Sequence, residues 1–285
     1  MSVIGGDSRQ LYIAELLKDR NIDLRYYGVA AEDAENTYGT PEEAIAGCDA
    51  VLLPLPVTRD GYRLNMSGDL FFFDFARMIS PGTFVFAGMI PPSFKDFLEQ
   101  SGIKYYDYFE SRHLLWDNAD ITAEGAVSLL MRELPKTVRG AEILICGFGR
   151  IGKLLAGKLT SLGASVTVSA RRDDDLLLAE KCFGVKTDPI NYRRIGTFDL
   201  TKDYDAVFNT VPSWIFDESN ASLLRNTIYI ELASSPYGGE TEFMRKNCAK
   251  YIMAAGLPGK YAPREAARAI VHSLLNYLSE EGKDT

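Results

Sequence analysis

Apolar residues recur along this chain at two spacings, and the switch between them predicts its elements. Short, nearly continuous apolar runs at residues 1–5, 24–29, 50–55 and 83–87 stop at glycine, proline or polar turns and read as strands. Between them, residues 8–20 carry Leu11, Ala14, Leu16 and Leu17 at helical spacing. Residues 67–78 hold Phe71, Phe72, Phe73 and Phe75 and read as a buried helix. In residues 120–134, Ala123, Ala126, Val127, Leu130, Met131 and Leu134 form one apolar stripe, with Asp120 or Thr122 as N-cap. The same stripe returns in Ala267, Ile270, Val271, Leu274, Leu275 and Leu278, behind Pro263 in the first turn.

The stretch from Ala141 to Arg172 is the most informative. An apolar run at 141–146 meets Gly147-Phe148-Gly149-Arg150-Ile151-Gly152, an amphipathic segment follows to Leu162, and a second apolar run occupies 165–169. Strand, glycine turn, helix and strand in that order make a dinucleotide-binding βαβ unit. Gly147 makes the tight turn, Gly149 admits a pyrophosphate and Gly152 lets helix and strand pack closely, while the helix start offers N–H groups to the anion. At the end of the second strand, where an NAD site places an acid, stand Arg171 and Arg172, with Ser169 before them. Guanidinium groups suit a 2′-phosphate, so NADP is favoured over NAD. The competing reading is that one arginine balances Asp173, Asp174 and Asp175 at the next helix start.

Strands at 205–209, 227–232 and 251–254 continue the alternation, which implies parallel sheets with helices on both faces. The expected fold is α/β, two doubly wound Rossmann-like domains with a cleft between them, linked by crossing helices. The expected boundaries are 1–118 for a substrate domain, 119–263 for the cofactor domain, and a last helix, 264–285, packing back on the first. Three loops leave carboxyl ends of strands, the edge that binds ligands. Asn209-Thr210-Val211-Pro212 and Gly256-Leu257 are assigned to the cofactor; Ser213, Ser234, Ser235 and Lys260 are candidate donors to substrate.

Composition narrows the function classes. The 285 residues carry a formal net charge of −8, which gives no electrostatic support to nucleic-acid or anionic-membrane binding. Cys48, Cys146, Cys182 and Cys248 lack CxxC spacing or a histidine cluster, so they read as reduced thiols, with no metal site expected. No stretch is apolar enough to span a bilayer, and the expectation is a soluble, cytoplasmic protein. His113 and His272 are the two histidines, and His272, on an apolar helix, reads as structural.

Further motifs are Gly5-Gly6-Asp7-x-Arg9-Gln10, Thr122-Ala-Glu124-Gly125, Asn-Thr-Val-Pro-Ser from 209, Leu-Ala-Ser-x-Pro-x-Gly-Gly from 232, and Ala-x-Gly-Leu-Pro-Gly from 254. Together with the glycine turn they resemble the dipicolinate synthase A-subunit family. The resemblance runs from about residue 3 to about 280. It implies oxidation of dihydrodipicolinate, or its hydrated precursor, to dipicolinate in spore-forming bacteria, beside the synthase's flavoprotein-like B-subunit. A homo-oligomer is also expected. For a dianionic substrate, Arg9 is the expected carboxylate clamp, with Gln10 beside it. Glu124 is a candidate base or an organiser of its helix; Asp7 is a candidate base, an orienter of Arg9 or a cap. The alternatives are a non-catalytic NADP-binding partner of a flavoprotein and a relative of alanine or 2-hydroxyacid dehydrogenases.

Overall fold

The structure, a computed structural model, describes residues 1–29, 36–189 and 203–281. The chain divides into two compact units, Met1–Asn118 with Pro258–Thr285, and Ala119–Leu257.

The first unit is built on β1 (Ser2–Ile4), α1 (Ser8–Lys18), β2 (Arg25–Tyr27), α2 (Pro41–Ile45), β3 (Ala50–Leu52), α3 (Phe72–Met78), β4 (Phe84–Ala87), α4 (Pro92–Gln100) and β5 (Tyr105–Asp107). All its strands are parallel, in the order β2-β1-β3-β4-β5. Successive strand residues point to opposite faces, and both faces are covered. Val3, Leu52 and Phe86 join one core with α1, while Ile4, Val51 and Val85 join another with α3 and α4. Asp7 caps α1 by accepting from the Arg9 N–H, and Thr40 caps α2 ahead of Pro41. The phenylalanine helix is buried through Phe72 and Phe75, while Phe71 is exposed just before it.

Next comes α5 (Arg112–Glu133), which begins well before the expected residue 120. Asp120 and Thr122 therefore lie inside a helix and are not N-caps; Asp120 instead meets Lys158 Nζ at 3.0 Å. All of the aromatic stretch at 111–117 but Ser111 lies in the start of this helix.

The second unit continues with β6 (Glu142–Cys146), α6 (Arg150–Ser161), β7 (Ser165–Ala170), α7 (Asp173–Phe183), β8 (Lys186–Pro189), β9 (Ala206–Asn209), β10 (Ile228–Glu231), α8 (Thr241–Asn247) and β11 (Lys250–Met253). Its six strands are parallel in the order β11-β10-β9-β6-β7-β8. Order reverses between β6 and β9, which makes that crevice the topological switch point. Buried Ala123, Ala126, Val127 and Leu130 of α5 share a core with Ile143, Ile145 and Phe208. Met131, expected in the stripe, is half exposed. The short α9 (Leu257–Tyr261) leads to α10 (Pro263–Glu281). Ala267, Ile270, Val271 and Leu274 of α10 are buried in the first unit's core beside Ile13 and Leu17, while Leu278 is exposed. Among the described residues, no helix is long and apolar enough to cross a membrane.

Candidate functional site

At the carboxyl end of β6 the chain turns through Gly147, whose φ of +100° favours glycine. Its N–H donates to the Ser169 carbonyl at 2.7 Å, and a Cβ there would collide with the Thr210 hydroxyl. A Cβ on Gly152 would collide with the Gly147 carbonyl oxygen, because the first turn of α6 folds back on the loop. Gly149 differs: a Cβ there would meet nothing within 4 Å. Two glycines are needed for packing, and the third leaves an open face beside the N-terminus of α6.

That face opens into a cavity of about 420 Å³ lined by Gly147, Phe148, Gly149, Ala170, Arg171, Arg172, Asp175, Thr210, Val211, Pro212 and Ser213. It lies on the β6/β9 switch point and brings together the glycine turn, the arginines and the Val-Pro-Ser loop. The volume is that of an ordinary small-molecule site. A flat anion-accepting turn, a cation at the far end and a loop from the neighbouring strand fit a dinucleotide.

Several of the assigned residues either lie outside this lining or line it while held by other partners. Arg150 and Ile151 start α6 outside the lining, and the Phe148 ring packs edge-on against Phe183 in the core. Ser169 is fully buried, so its hydroxyl is not presented to a phosphate. Arg172 is bound through Nε and Nη2 to both oxygens of Asp175, at 2.7 and 2.8 Å. The hydrogen bond and charge of Arg172 hold the Asp175 carboxyl below the usual range. The balancing reading thus describes Arg172, and Arg171 is the other arginine at the cavity.

Asn209 is also fully buried. Its amide accepts from the Val211 N–H and donates to the Val211 carbonyl and to Glu231 Oε1, so it shapes the cofactor loop from beneath. Glu231, at the end of β10, is a residue the sequence reading missed. It is fully buried and accepts from Asn209 Nδ2, Ala233 N, Gly238 N and Tyr229 Oη. Burial pushes its carboxyl above the usual range, against the hydrogen bonds, which favour the carboxylate. The signal was present: an acid inside the apolar run Ile-Tyr-Ile-Glu-Leu needs buried partners. Ser234 and Ser235 lie on the exposed turn that Glu231 anchors. Gly256 is exposed at a φ of +70°, but Leu257 is buried in the core, so its side chain is not at the cavity. Lys260 is exposed on α9, and Glu124 is exposed on α5.

In the first unit, Arg9 is buried with its fork turned inward. Nε and Nη2 bind both oxygens of Asp7 at 2.9 and 2.8 Å, and Nη2 also donates to the Leu55 carbonyl. Asp7 is therefore both cap and orienter, and not a free base. Burial raises its pKa, but the hydrogen bonds and charge of Arg9 outweigh this and hold it below the usual range. A Cβ on Gly259 would touch this pair at 3.0 Å, and Ser8 Oγ donates to the Gly259 carbonyl, so the pair is a platform for α9. Gln10 is buried beside Gly6. His113 and His272 are both exposed, with ring centroids 6.2 Å apart, so His272 is not a core residue. Among the described residues none of the four cysteines is in a disulfide, and burial pushes the Cys248 thiol up to about 12.

Residues 1–109 match the family model described as the N-terminal domain of the dipicolinate synthase A-subunit. Over 298 residues the chain is 27% identical to the dipicolinate synthase A-subunit of Bacillus subtilis, covering 99% of this chain and 98% of that one. The crystal structure of the Bacillus subtilis dipicolinate synthase A-subunit is similar at a TM-score of 0.81 and 26% identity, over 100% of this chain and 97% of that one. That of the A-subunit from Bacillus halodurans is similar at a TM-score of 0.80 and 24% identity, over 97% and 96%. More distant dehydrogenases and a transhydrogenase share the fold alone. The resemblance read from the motifs is borne out.

Proposed function

We propose, from the likeness to dipicolinate synthase A-subunits over nearly the whole chain, that this chain belongs with them and is a nicotinamide-dependent oxidoreductase subunit. It converts dihydrodipicolinate, or its hydrated precursor, to dipicolinate during sporulation, with NADP preferred to NAD and the flavoprotein-like B-subunit as partner. The observation that carries the reading is the open face of Gly149 in a cavity at the switch point of the second unit.

When bound, the cofactor supplies the hydride acceptor. The N–H groups at the start of α6 would meet its pyrophosphate, and Arg171, which lines the cavity, would take the 2′-phosphate. Thr210, Val211 and Pro212 line the same cavity and would face the nicotinamide half, with Ser213 beside them to donate to a substrate carboxylate. Glu231 and Asn209 keep that loop in place from below. Loss of a hydride and a proton makes the substrate ring aromatic, so the chain has mainly to orient a dianion and release one proton to water.

The test supplies the purified chain with dihydrodipicolinate and NADP, alone and with the B-subunit, and follows reduced nicotinamide and dipicolinate together. Equal yields of the two are expected. Dipicolinate formed without any need for NADP would make the chain a non-catalytic partner. Turnover of L-alanine or a 2-hydroxyacid in its place would put it with those dehydrogenases.

A further inference from the structure

The first unit has its own switch point. In the order β2-β1-β3-β4-β5 the chain reverses direction between β1 and β3, so the crevice beyond their carboxyl ends is where such a sheet takes a ligand. The loop after β1 is Gly5-Gly6, with φ of +61° and +96°, leading into the eleven-residue α1. The loop after β3 carries Arg59.

Two features of this edge lack an internal explanation. Gln10 is 1% exposed, yet its Nε2 has no hydrogen-bond partner among the described residues. Its side chain ends against Gly6, where a Cβ would collide with Gln10 Cδ and Oε1, so the amide group that carries the unpartnered donor lies at the glycine turn. A buried amide donor left unpaired costs stability unless something else meets it. The second feature is Arg59. Arg9 is committed to Asp7 and Leu55, and Arg63 to Asp60 and Asp69. Arg59 is exposed and makes no hydrogen bond or ion pair among the described residues. Its charge reaches Asp7 at the start of α1, where it adds to the pull that lowers that carboxyl.

We propose that Arg59, with the Gln10 amide, is the carboxylate-recognising pair of the first unit, and that Arg9 is a positioning residue behind it. The inference rests on the dicarboxylate substrate proposed above. The guanidinium of Arg59 provides the planar fork that a carboxylate needs, and the Gln10 Nε2 provides one further directed donor. Arg9 supports them by fixing Asp7, and through it the start of α1, against the β3 loop.

The test is equilibrium binding of dipicolinate, L-alanine and D-lactate to the full chain, wild type and the variants Arg59→Ala, Arg59→Lys and Gln10→Leu, with NADPH binding measured alongside. Arg59→Ala should weaken dipicolinate at least about tenfold, and Arg59→Lys should restore only part, because charge returns without the fork. NADPH affinity, which reports the second unit, should change less than about twofold. Dipicolinate binding by Arg59→Ala and Gln10→Leu at wild-type strength overturns the inference and leaves the proposed reaction standing. A wild type that binds L-alanine or D-lactate but not dipicolinate, with loss in Arg59→Ala, overturns the proposed substrate and upholds the carboxylate site. Binding of none of the three by the wild type overturns both.

Discussion

Replacing Gly149 and Gly152 separately by alanine should divide the glycine turn into its two physical tasks. At Gly152 the new methyl would collide with the Gly147 carbonyl oxygen and lie 3.0 Å from its carbon. Both are backbone atoms of a turn held by the Ser169 carbonyl, so neither can swing away. The cost should reach at least about 3 kcal/mol, the upper end for overpacking. At Gly149 the φ is −72° and a Cβ meets nothing within 4 Å. There, lost chain entropy in the unfolded state favours alanine by about 0.4–1 kcal/mol. Alanine is a poorer N-cap than glycine by a comparable amount, so stability should stay within about 1 kcal/mol of wild type. The methyl would nevertheless stand where the pyrophosphate approaches. Losing one charge-assisted hydrogen bond costs about 1.5–3 kcal/mol, or roughly ten- to a hundredfold in affinity. Urea unfolding and calorimetric titration with NADPH measure the two effects. Wild-type NADPH affinity in Gly149→Ala, or wild-type stability in Gly152→Ala, would refute the reasoning.

Other predictions follow from the same geometry. Arg171→Ala should weaken NADP at least about tenfold with NAD little changed, while Arg172→Ala, whose fork is held by Asp175, should do less; equal tight binding of both cofactors by the wild type would contradict this. Glu231→Ala strips the acceptor from four buried donors at about 1–3 kcal/mol each, not additively, so unfolding free energy should drop by at least about 3 kcal/mol and NADPH affinity should fall with it. A loss under about 1 kcal/mol in urea unfolding would show that the hub is unimportant. Because Asp7 is depressed in the folded state, that state binds fewer protons than the unfolded chain in acid. Its contribution is present above the ordinary carboxylate pKa of about 4 and is lost as pH falls through the lower folded value. Asp7→Asn should therefore flatten the acid limb of stability against pH; an unchanged limb would show that the Arg9 pair contributes nothing.

Both parallel sheets and the cofactor turn were legible in the chain because their signals are local. Buried parallel strands are apolar runs, and Gly147, Gly149 and Gly152 answer to backbone geometry within a few residues. Helix starts were less legible. Asp120 and Thr122 looked like caps because the stripe starts beside them, yet α5 begins in an aromatic stretch whose pattern is masked by Trp116 and Leu115. β5, Tyr-Tyr-Asp, and β8, Lys-Thr-Asp-Pro, are too short or too polar to stand out. Side-chain partners were least legible of all. Nothing local shows that Arg9 reaches the Leu55 carbonyl, or that Asn209 and Glu231 meet below two loops, since those contacts exist only once distant strands pair. Arg172 could be read either way from sequence, and its distance to Asp175 decides.

The most direct measurement follows the hydride. Dihydrodipicolinate deuterated on its saturated ring carbons is turned over by the chain with NADP and the B-subunit, and the recovered nicotinamide and dipicolinate are analysed by mass spectrometry. The account predicts one deuterium in the reduced nicotinamide for each dipicolinate formed, and slower formation of both by Gly149→Ala when NADP is limiting. Deuterium appearing in solvent while the nicotinamide stays unlabelled would contradict it.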